Sequence, residues 1–387
     1  MARVLILGGG FGGLAAAHEL RDVLGDDDEI VLVDANDRFF MGFAKLWDLA
    51  GVRPLDDGTR WLRDVEAHGI RFVRSTVDAI DPDARRIETS GGALDGDALV
   101  VALGAGPSTG HRGLLGGKPH VHDLYDATQL PAMHHDLEQV SSGRVVVAIL
   151  GGPFKCPPAP YEGALLVDAR LRARGVRDDV EITVVTFQPM TLPAAGPDAS
   201  RYVASFLDDA GIELRSGVKV VGVDGATRTI ELDDGSTLDY SVLLGVPAHV
   251  APPVIADSGL AGASGWIEPD RHTMRTSFDR VYAVGDCTMI PNAAGQLPKA
   301  GVFAAAQGGV AAKNVARDLG APRAPAEEAS FDGHGMCFLE LPGRRVAFVE
   351  GNFYAEPTLD VRLSAADEEH FERKQAYERE RLDAWFA

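Results

Sequence analysis

The chain has 387 residues, enough for two or three domains with cores of their own, and its 45% hydrophobic and 24% charged content is ordinary for a globular protein. A formal net charge of −20 argues against nucleic acid and anionic membrane surfaces, which repel an acidic protein. No apolar run is long enough to span a bilayer, a strand pattern from residue 4 leaves no room for a signal peptide, and three cysteines make no structural framework; the expected setting is the cytoplasm.

"RVLILGGGFGGLAAAHEL" reads as a strand, a glycine turn and a helix. Gly8, Gly10 and Gly13 hold the three positions of G-x-G-x-x-G, with Phe11 and Gly12 between the last two. The first glycine allows a tight turn, the second lets backbone approach a pyrophosphate, and the third packs helix on strand. A second strand, "EIVLVD", ends in Asp34, 21 residues after Gly13, where a carboxylate accepts ribose hydroxyls, with Ala35 beside it. Val77, and Ala102 and Gly104 in "DALVVALGAGPS", complete the expected cofactor contacts of this half.

A second strand–turn–helix follows at 149–166, "ILGGPFKCPPAPYEGALL". Its glycine positions read Gly151, Pro153 and Cys156. A pyrrolidine ring stands where a phosphate should approach, a thiol side chain where helix and strand should touch, and Pro157 and Pro158 have no N–H to give. The next strand ends "VVTFQP", with no carboxylate for a ribose. This unit is expected to keep the fold without a nicotinamide site.

Further along, "VKVVGVDGATRTIELDDGSTLDY" reads as hairpins turning at Asp224-Gly225 and Asp234-Gly235. "FDRVYAVGDCTMI" is a strand ending in Gly285-Asp286, and "LPKAGVFAAAQGGVAAKNVARDL" a helix with Pro298 near its first turn. "APRAPAEEA" is a linker, "GMCFLEL" and "RRVAFVEGNFY" alternate like strands, and a charged helix closes the chain. The expected fold class is α/β: two Rossmann-like dinucleotide-binding domains, the first discontinuous over 1–105 and 266–320, the second over 106–265, with a small C-terminal α+β unit over 321–387.

The ordered motifs resemble the flavoproteins with two dinucleotide-binding domains, which implies FAD. Asp286 would then meet the ribityl chain, and the helix after Lys299 would aim its positive end at the flavin, with Lys299 adding a charge. Together with Cys156, the "PYE" glutamate Glu162, and Cys337 in "GMCFLEL", the chain resembles over nearly its whole length the flavoprotein subunit of flavocytochrome c sulfide dehydrogenase and the sulfide:quinone oxidoreductases. That resemblance implies a redox-active disulfide between Cys156 and Cys337 over the flavin, Cys337 lying nearer to it and Cys156 receiving the sulfur of a small sulfur substrate. Glu162 would shuttle a proton, and Lys155 and Lys299 would supply the positive surroundings a thiolate needs.

Several features depart from that family. The stretch "VHDLYDATQL" lacks the further cysteine of quinone-reducing members. The tail offers only Phe371, Leu382, Trp385 and Phe386 among many charges, a poor membrane face. No cysteine lies near Gly42, where some members tether the cofactor, so FAD is expected to be non-covalent. The electron acceptor stays open among a quinone, a cytochrome and another redox protein. Cys287 reads as structural, and the histidines lack a convergent spacing, so no metal site is expected. Two alternatives remain at this point: a single-subunit NADH:quinone-type reductase, and a flavin-bound redox sensor or scaffold.

Overall fold

A computed structural model describes residues 1–387. Two five-stranded parallel sheets organise it. In the first, the spatial order is Val281–Ala283, Ala98–Val101, Arg3–Leu7, Glu29–Asp34 and Arg71–Arg74. In the second it is Val121–Asp123, Val242–Val246, Gly143–Ile149, Val180–Thr186 and Glu213–Ser216. The central strands are continuous apolar runs because parallel strands are covered on both faces: Val4 to Leu7 and Val145 to Ile149 are all 0% exposed. The mixed α/β architecture with Rossmann-like parallel cores is the one expected.

Helix Phe11–Val23 lies against helix Gly301–Asp318. They approach so closely at Gly12 and Gly308 that a Cβ on Gly308 would sit 2.3 Å from the Gly12 carbonyl oxygen. Two antiparallel meanders flank the sheets, at Val77–Asp81, Arg86–Thr89 and Gly92–Asp95 and at Val220–Asp224, Thr229–Leu232 and Thr237–Asp239. The expected Asp-Gly turns fall between strands of the second.

The helix after Pro298 begins later than expected. Ala300 is its N-cap, in extended conformation, and Pro298 stands outside it. The Lys299 carbonyl accepts the Cys156 N–H at 2.7 Å, so it does not serve a helical turn.

The C-terminal strands His334–Leu341, Arg345–Asn352 and Asp360–Leu363 and the helix Glu368–Phe386 have no separate core. Val346, Val349, Phe371, Leu382, Trp385 and Phe386 join the core of the first sheet, while Leu339, Leu341 and Ala347 join that of the second. The tail's apolar residues are thus spent inside: Trp385 packs edge-on to Phe11 and Phe39. No helix is long and apolar enough to cross a membrane.

Candidate active site

The first glycine turn has the geometry of a phosphate cradle. Gly8 has φ +111°, and a Cβ there would lie 2.3 Å from the Ala102 carbonyl oxygen. Gly13 allows no side chain either, since its Cβ would fall 1.8 Å from the Gly8 oxygen. Gly10, the N-cap of the helix, faces open space, with nothing within 4 Å of a Cβ built on it. Phe11 and Gly12 open that helix, whose first N–H groups have no intrahelical partners. Asp34 lies beside the turn, accepting the Gly9 N–H at 2.6 Å and the Asn36 N–H at 2.7 Å. Ala35 follows it, exposed. Val77 is two residues past Ser75, whose N–H donates to the Asp34 carbonyl. Gly104, at φ +66°, leaves its strand just beyond Ala102.

Gly285, Asp286 and the start of helix Gly301–Asp318 line a small pocket. Burial raises the Asp286 carboxyl, opposed by Lys155 and Lys299. Gln307, buried in that helix, accepts the Gly285 N–H at 2.8 Å. Its signal in the sequence was a lone amide in an alanine- and glycine-rich run. Lys299 is 5% exposed, its ammonium donating to the carbonyls of Asp286 and Thr288 at 2.8 Å each and lying 3.5 Å from the Trp266 ring centre. Burial brings its pKa down to about 8.

The second turn is closed. A Cβ on Gly151 would meet the His111 ring at 2.6 Å, and one on Gly152 the Phe187 ring at 2.9 Å. The chain between Ile149 and helix Ala159–Ala173 carries Cys156 in the left-handed region, φ +49°. Few side chains adopt that conformation without restraint, and it costs of order 1–3 kcal/mol. Cys337, on strand His334–Leu341, approaches from the C-terminal sheet and opens onto a cavity of ≈ 180 Å³ bordered by Pro153, Phe154, Pro157, Lys299 and Phe353. Both cysteines are free thiols here.

Each keeps part of its surface open, yet the protein around them is dense enough to raise both thiols. Burial and then Glu162 push Cys156 up to about 12. Burial raises Cys337 well above its ordinary value, with the charge of Cys156 adding to it. Lys374 and Lys45, which the sequence did not point to, are cations that favour the Cys156 thiolate. Lys299 directs two of its three donors to the Asp286 and Thr288 carbonyls.

Glu162 lies at the centre of a buried polar network. It is 1% exposed, accepts the Glu340 N–H at 2.7 Å and has the Lys374 ammonium at 3.5 Å. Lys374, 0% exposed, pairs more closely with Glu340 at 2.6 Å, and the Trp47 indole N–H donates to the same Glu340 oxygen at 2.6 Å. Two carboxylates therefore share one cation, and Glu340 has the better donors. Burial raises the Glu162 pKa against the pull of Lys374. Lys374 and Glu340 carried no signal in the sequence: one is a lysine in a charged helix, the other a glutamate in an alternating strand.

Lys45 is also deep. Its ammonium donates to the Tyr125 carbonyl at 2.5 Å, and burial, with Lys155 nearby, brings its pKa down to about 7. Cys287 is 0% exposed, its thiol within reach of the Val284 and Val101 carbonyls at 3.3 and 3.5 Å, and burial lifts it to about 11.

Residues 2–308 match the family described as pyridine nucleotide-disulphide oxidoreductase. Mitochondrial sulfide:quinone oxidoreductase of Mus musculus is 26% identical over 372 residues, 92% of this chain and 79% of that protein. A type II NADH:quinone oxidoreductase of Staphylococcus aureus is 24% identical over 375 residues, 90% of this chain and 93% of that protein. Among solved structures, the sulfide:quinone oxidoreductase of Aquifex aeolicus superposes with a TM-score of 0.88 at 22% identity, covering 100% of this chain and 91% of that one. The chain belongs to the pyridine nucleotide-disulphide oxidoreductase family, and its cofactor is FAD. The open Gly8–Gly13 turn and the Asp34 carboxylate fit the pyrophosphate and ribose of that cofactor, and the stretch of sequence around Gly42 holds no cysteine.

Proposed function

We propose that the protein is an FAD-dependent oxidoreductase that oxidises sulfide, or a related low-molecular sulfur species, through a Cys156–Cys337 disulfide. The observation that carries this reading is the left-handed Cys156 just ahead of helix Ala159–Ala173, with the strand that carries Cys337 packed on that helix and tied to it by the Glu340 N–H on Glu162. Likeness to sulfide:quinone oxidoreductases supports it.

In this reading Gly8, Gly10, Gly13, Asp34 and Asp286 hold FAD, which when bound supplies the two-electron acceptor for the thiolate that Cys337 becomes. Hydrosulfide attacks the Cys156 sulfur of the oxidised pair. One S–S bond forms and one breaks, leaving a persulfide on Cys156 and a thiolate on Cys337. Lys374 and Lys45 stabilise negative charge on the Cys156 side, and Glu162 manages the proton carried by the incoming sulfur. The electron acceptor is a quinone or a redox protein.

A second reading, an NADH:quinone-type reductase, is favoured by the likeness to the staphylococcal enzyme. Against it stand the His111 and Phe187 rings over Gly151 and Gly152, where a pyrophosphate would lie. Anaerobic titration of the flavin-loaded protein separates the two. Sulfide should bleach the flavin in a saturable phase, and NADH should act no faster than a non-specific reductant. Fast, saturable reduction by NADH with none by sulfide would reverse the order of the two readings.

A further inference from the structure

Cys156 is held from both sides of its own residue. Its N–H donates to the Lys299 carbonyl at 2.7 Å. Its carbonyl accepts the Ala159 N–H at 3.0 Å and, from outside the loop, the Tyr125 hydroxyl at 3.1 Å. Tyr125 is fixed in turn. Its N–H donates to the Asp123 carboxylate at 2.8 Å and its carbonyl accepts the buried Lys45 ammonium. Its ring has the Lys45 charge 5.2 Å away and the buried His249 ring edge-on at 5.4 Å. His249 closes the circle, donating its own N–H to the Pro153 carbonyl at 2.7 Å. A run of contacts therefore passes from Lys45 through Tyr125 to Cys156, and through the Lys299 residue to the Asp286 and Thr288 carbonyls.

Tyr125 sits in "VHDLYDATQL", the stretch without the third cysteine. In this chain the segment sends a hydroxyl to the main chain of Cys156 instead of a sulfur. A side-chain-bearing residue at φ +49° relaxes toward ordinary backbone regions unless its two peptide groups are tethered. Such relaxation would re-aim the Cβ–Sγ bond, and disulfide geometry tolerates little change in how two cysteines face each other.

We propose that Tyr125, anchored by Lys45, is a positioning residue that keeps Cys156 in the left-handed conformation required for its disulfide with Cys337. This rests on the reading of those two cysteines as a redox pair. Tyr125→Phe removes only the hydroxyl, leaving the ring contacts with Lys45 and His249 and the main-chain bonds in place. The hydroxyl bond is worth about 1 kcal/mol net, which corresponds to roughly fivefold in an equilibrium constant.

The test uses the full-length, FAD-loaded protein equilibrated in glutathione redox buffers. There the protein disulfide becomes two thiols as two glutathione thiols become one glutathione disulfide. Trapping by alkylation, followed by mass measurement, gives the fraction oxidised. Tyr125→Phe should shift the equilibrium roughly fivefold toward the dithiol while FAD content stays at the wild-type value and Tm falls by no more than a few degrees. An unchanged equilibrium in Tyr125→Phe, with the wild-type disulfide forming normally, overturns the positioning role and leaves the redox pair standing. A loss of disulfide that only follows a fall in Tm and FAD content also overturns it, since the hydroxyl would then be merely structural. Should the wild-type protein form no Cys156–Cys337 disulfide in the most oxidising buffer, the redox-pair reading fails and this proposal with it.

Discussion

Residues 8–10 and residues 150–158 make the same connection, from a buried parallel strand to the helix that follows, and they make it in opposite ways. The first is short and bare: Gly10 looks into open space and Gly13 touches the Gly8 carbonyl, so backbone alone faces the ligand. The second is long and filled: His111 and Phe187 close over its glycines, and Cys156 stands in a left-handed conformation that glycine would adopt freely. The difference lies in where each loop directs its chemistry. Unsatisfied N–H groups at a helix start recognise a phosphate and need nothing from side chains. Under the proposed function the second loop must instead fix a side chain, and Cys156 is hydrogen-bonded at both its N–H and its carbonyl.

The largest effect that would break this comparison is at the cysteines. Cys156→Ser and Cys337→Ser should each bind FAD normally, since Gly8, Gly10, Gly13, Asp34 and Asp286 belong to the other sheet. Each should lose reduction of the flavin by sulfide by roughly 10³-fold or more in stopped-flow measurements, as expected for removal of a nucleophile. Wild-type rates in both variants would mean that electrons do not enter through the pair, and the second turn would be only a decayed nucleotide site.

Next in size is Glu162→Gln, expected to cost roughly 10²–10⁴-fold in the same phase. The sign of its pH dependence follows from burial. A carboxyl raised above its ordinary range is ionised only at higher pH, so a step in which it takes the proton of the incoming sulfur speeds up as pH climbs through the raised value. The Gln variant should have lost that limb of the profile. If it keeps both the rate and the limb, Glu162 is only the counter-charge of Lys374.

How much of this was open to reading from the chain depends on the range of the interaction. The two parallel cores were legible because "RVLIL" and "RVVVAI" are unbroken apolar strands and the turns after them are local. Cys156, Glu162 and Cys337 stood out as residue types in unusual company. Their surroundings did not, because Trp47, Tyr125, Glu340 and Lys374 reach the site across long stretches of chain. Lys374 shows the difficulty best: in "EEHFERKQAYERERLDAWF" nothing separates a lysine that is 0% exposed from its solvated neighbours. Lys299 was placed near the start of helix Gly301–Asp318 from its motif, but not its burial or its two bonds to the Asp286 and Thr288 carbonyls, which come from the fold.

A glycine pair sharpens the contrast at a smaller scale. Gly13→Ala would bring a methyl to 1.8 Å from the Gly8 oxygen, main chain that can yield only by deforming the cradle. Overpacking of this kind costs about 1–3 kcal/mol, so FAD affinity should fall roughly 5- to 150-fold in a flavin-release titration. In Gly151→Ala the methyl meets the His111 ring, which accepts the Ala248 N–H, and any shift there falls in the second turn and not in the Gly8–Gly13 cradle. FAD affinity should stay within about threefold of wild type there. Equal losses at the two glycines would erase the distinction between an open turn and a filled one.

The smallest effect is expected at Cys287, the one cysteine outside the pair. It lies in the core of the first sheet among Leu99, Val101, Ile267 and Val281, with the Val284 and Val101 carbonyls in reach of its sulfur. Burial lifts its thiol to about 11, so it has no thiolate to offer near neutral pH. Cys287→Ser keeps a donor for the same carbonyls and exchanges a small apolar sulfur for a shorter, more polar hydroxyl. The cost should be on the order of 1 kcal/mol, seen as a Tm lower by a few degrees, with the rate of flavin reduction by sulfide unchanged. A large loss of that rate at an unaltered Tm would show that Cys287 exchanges with the pair, and the left-handed turn would then no longer be the single point at which sulfur enters.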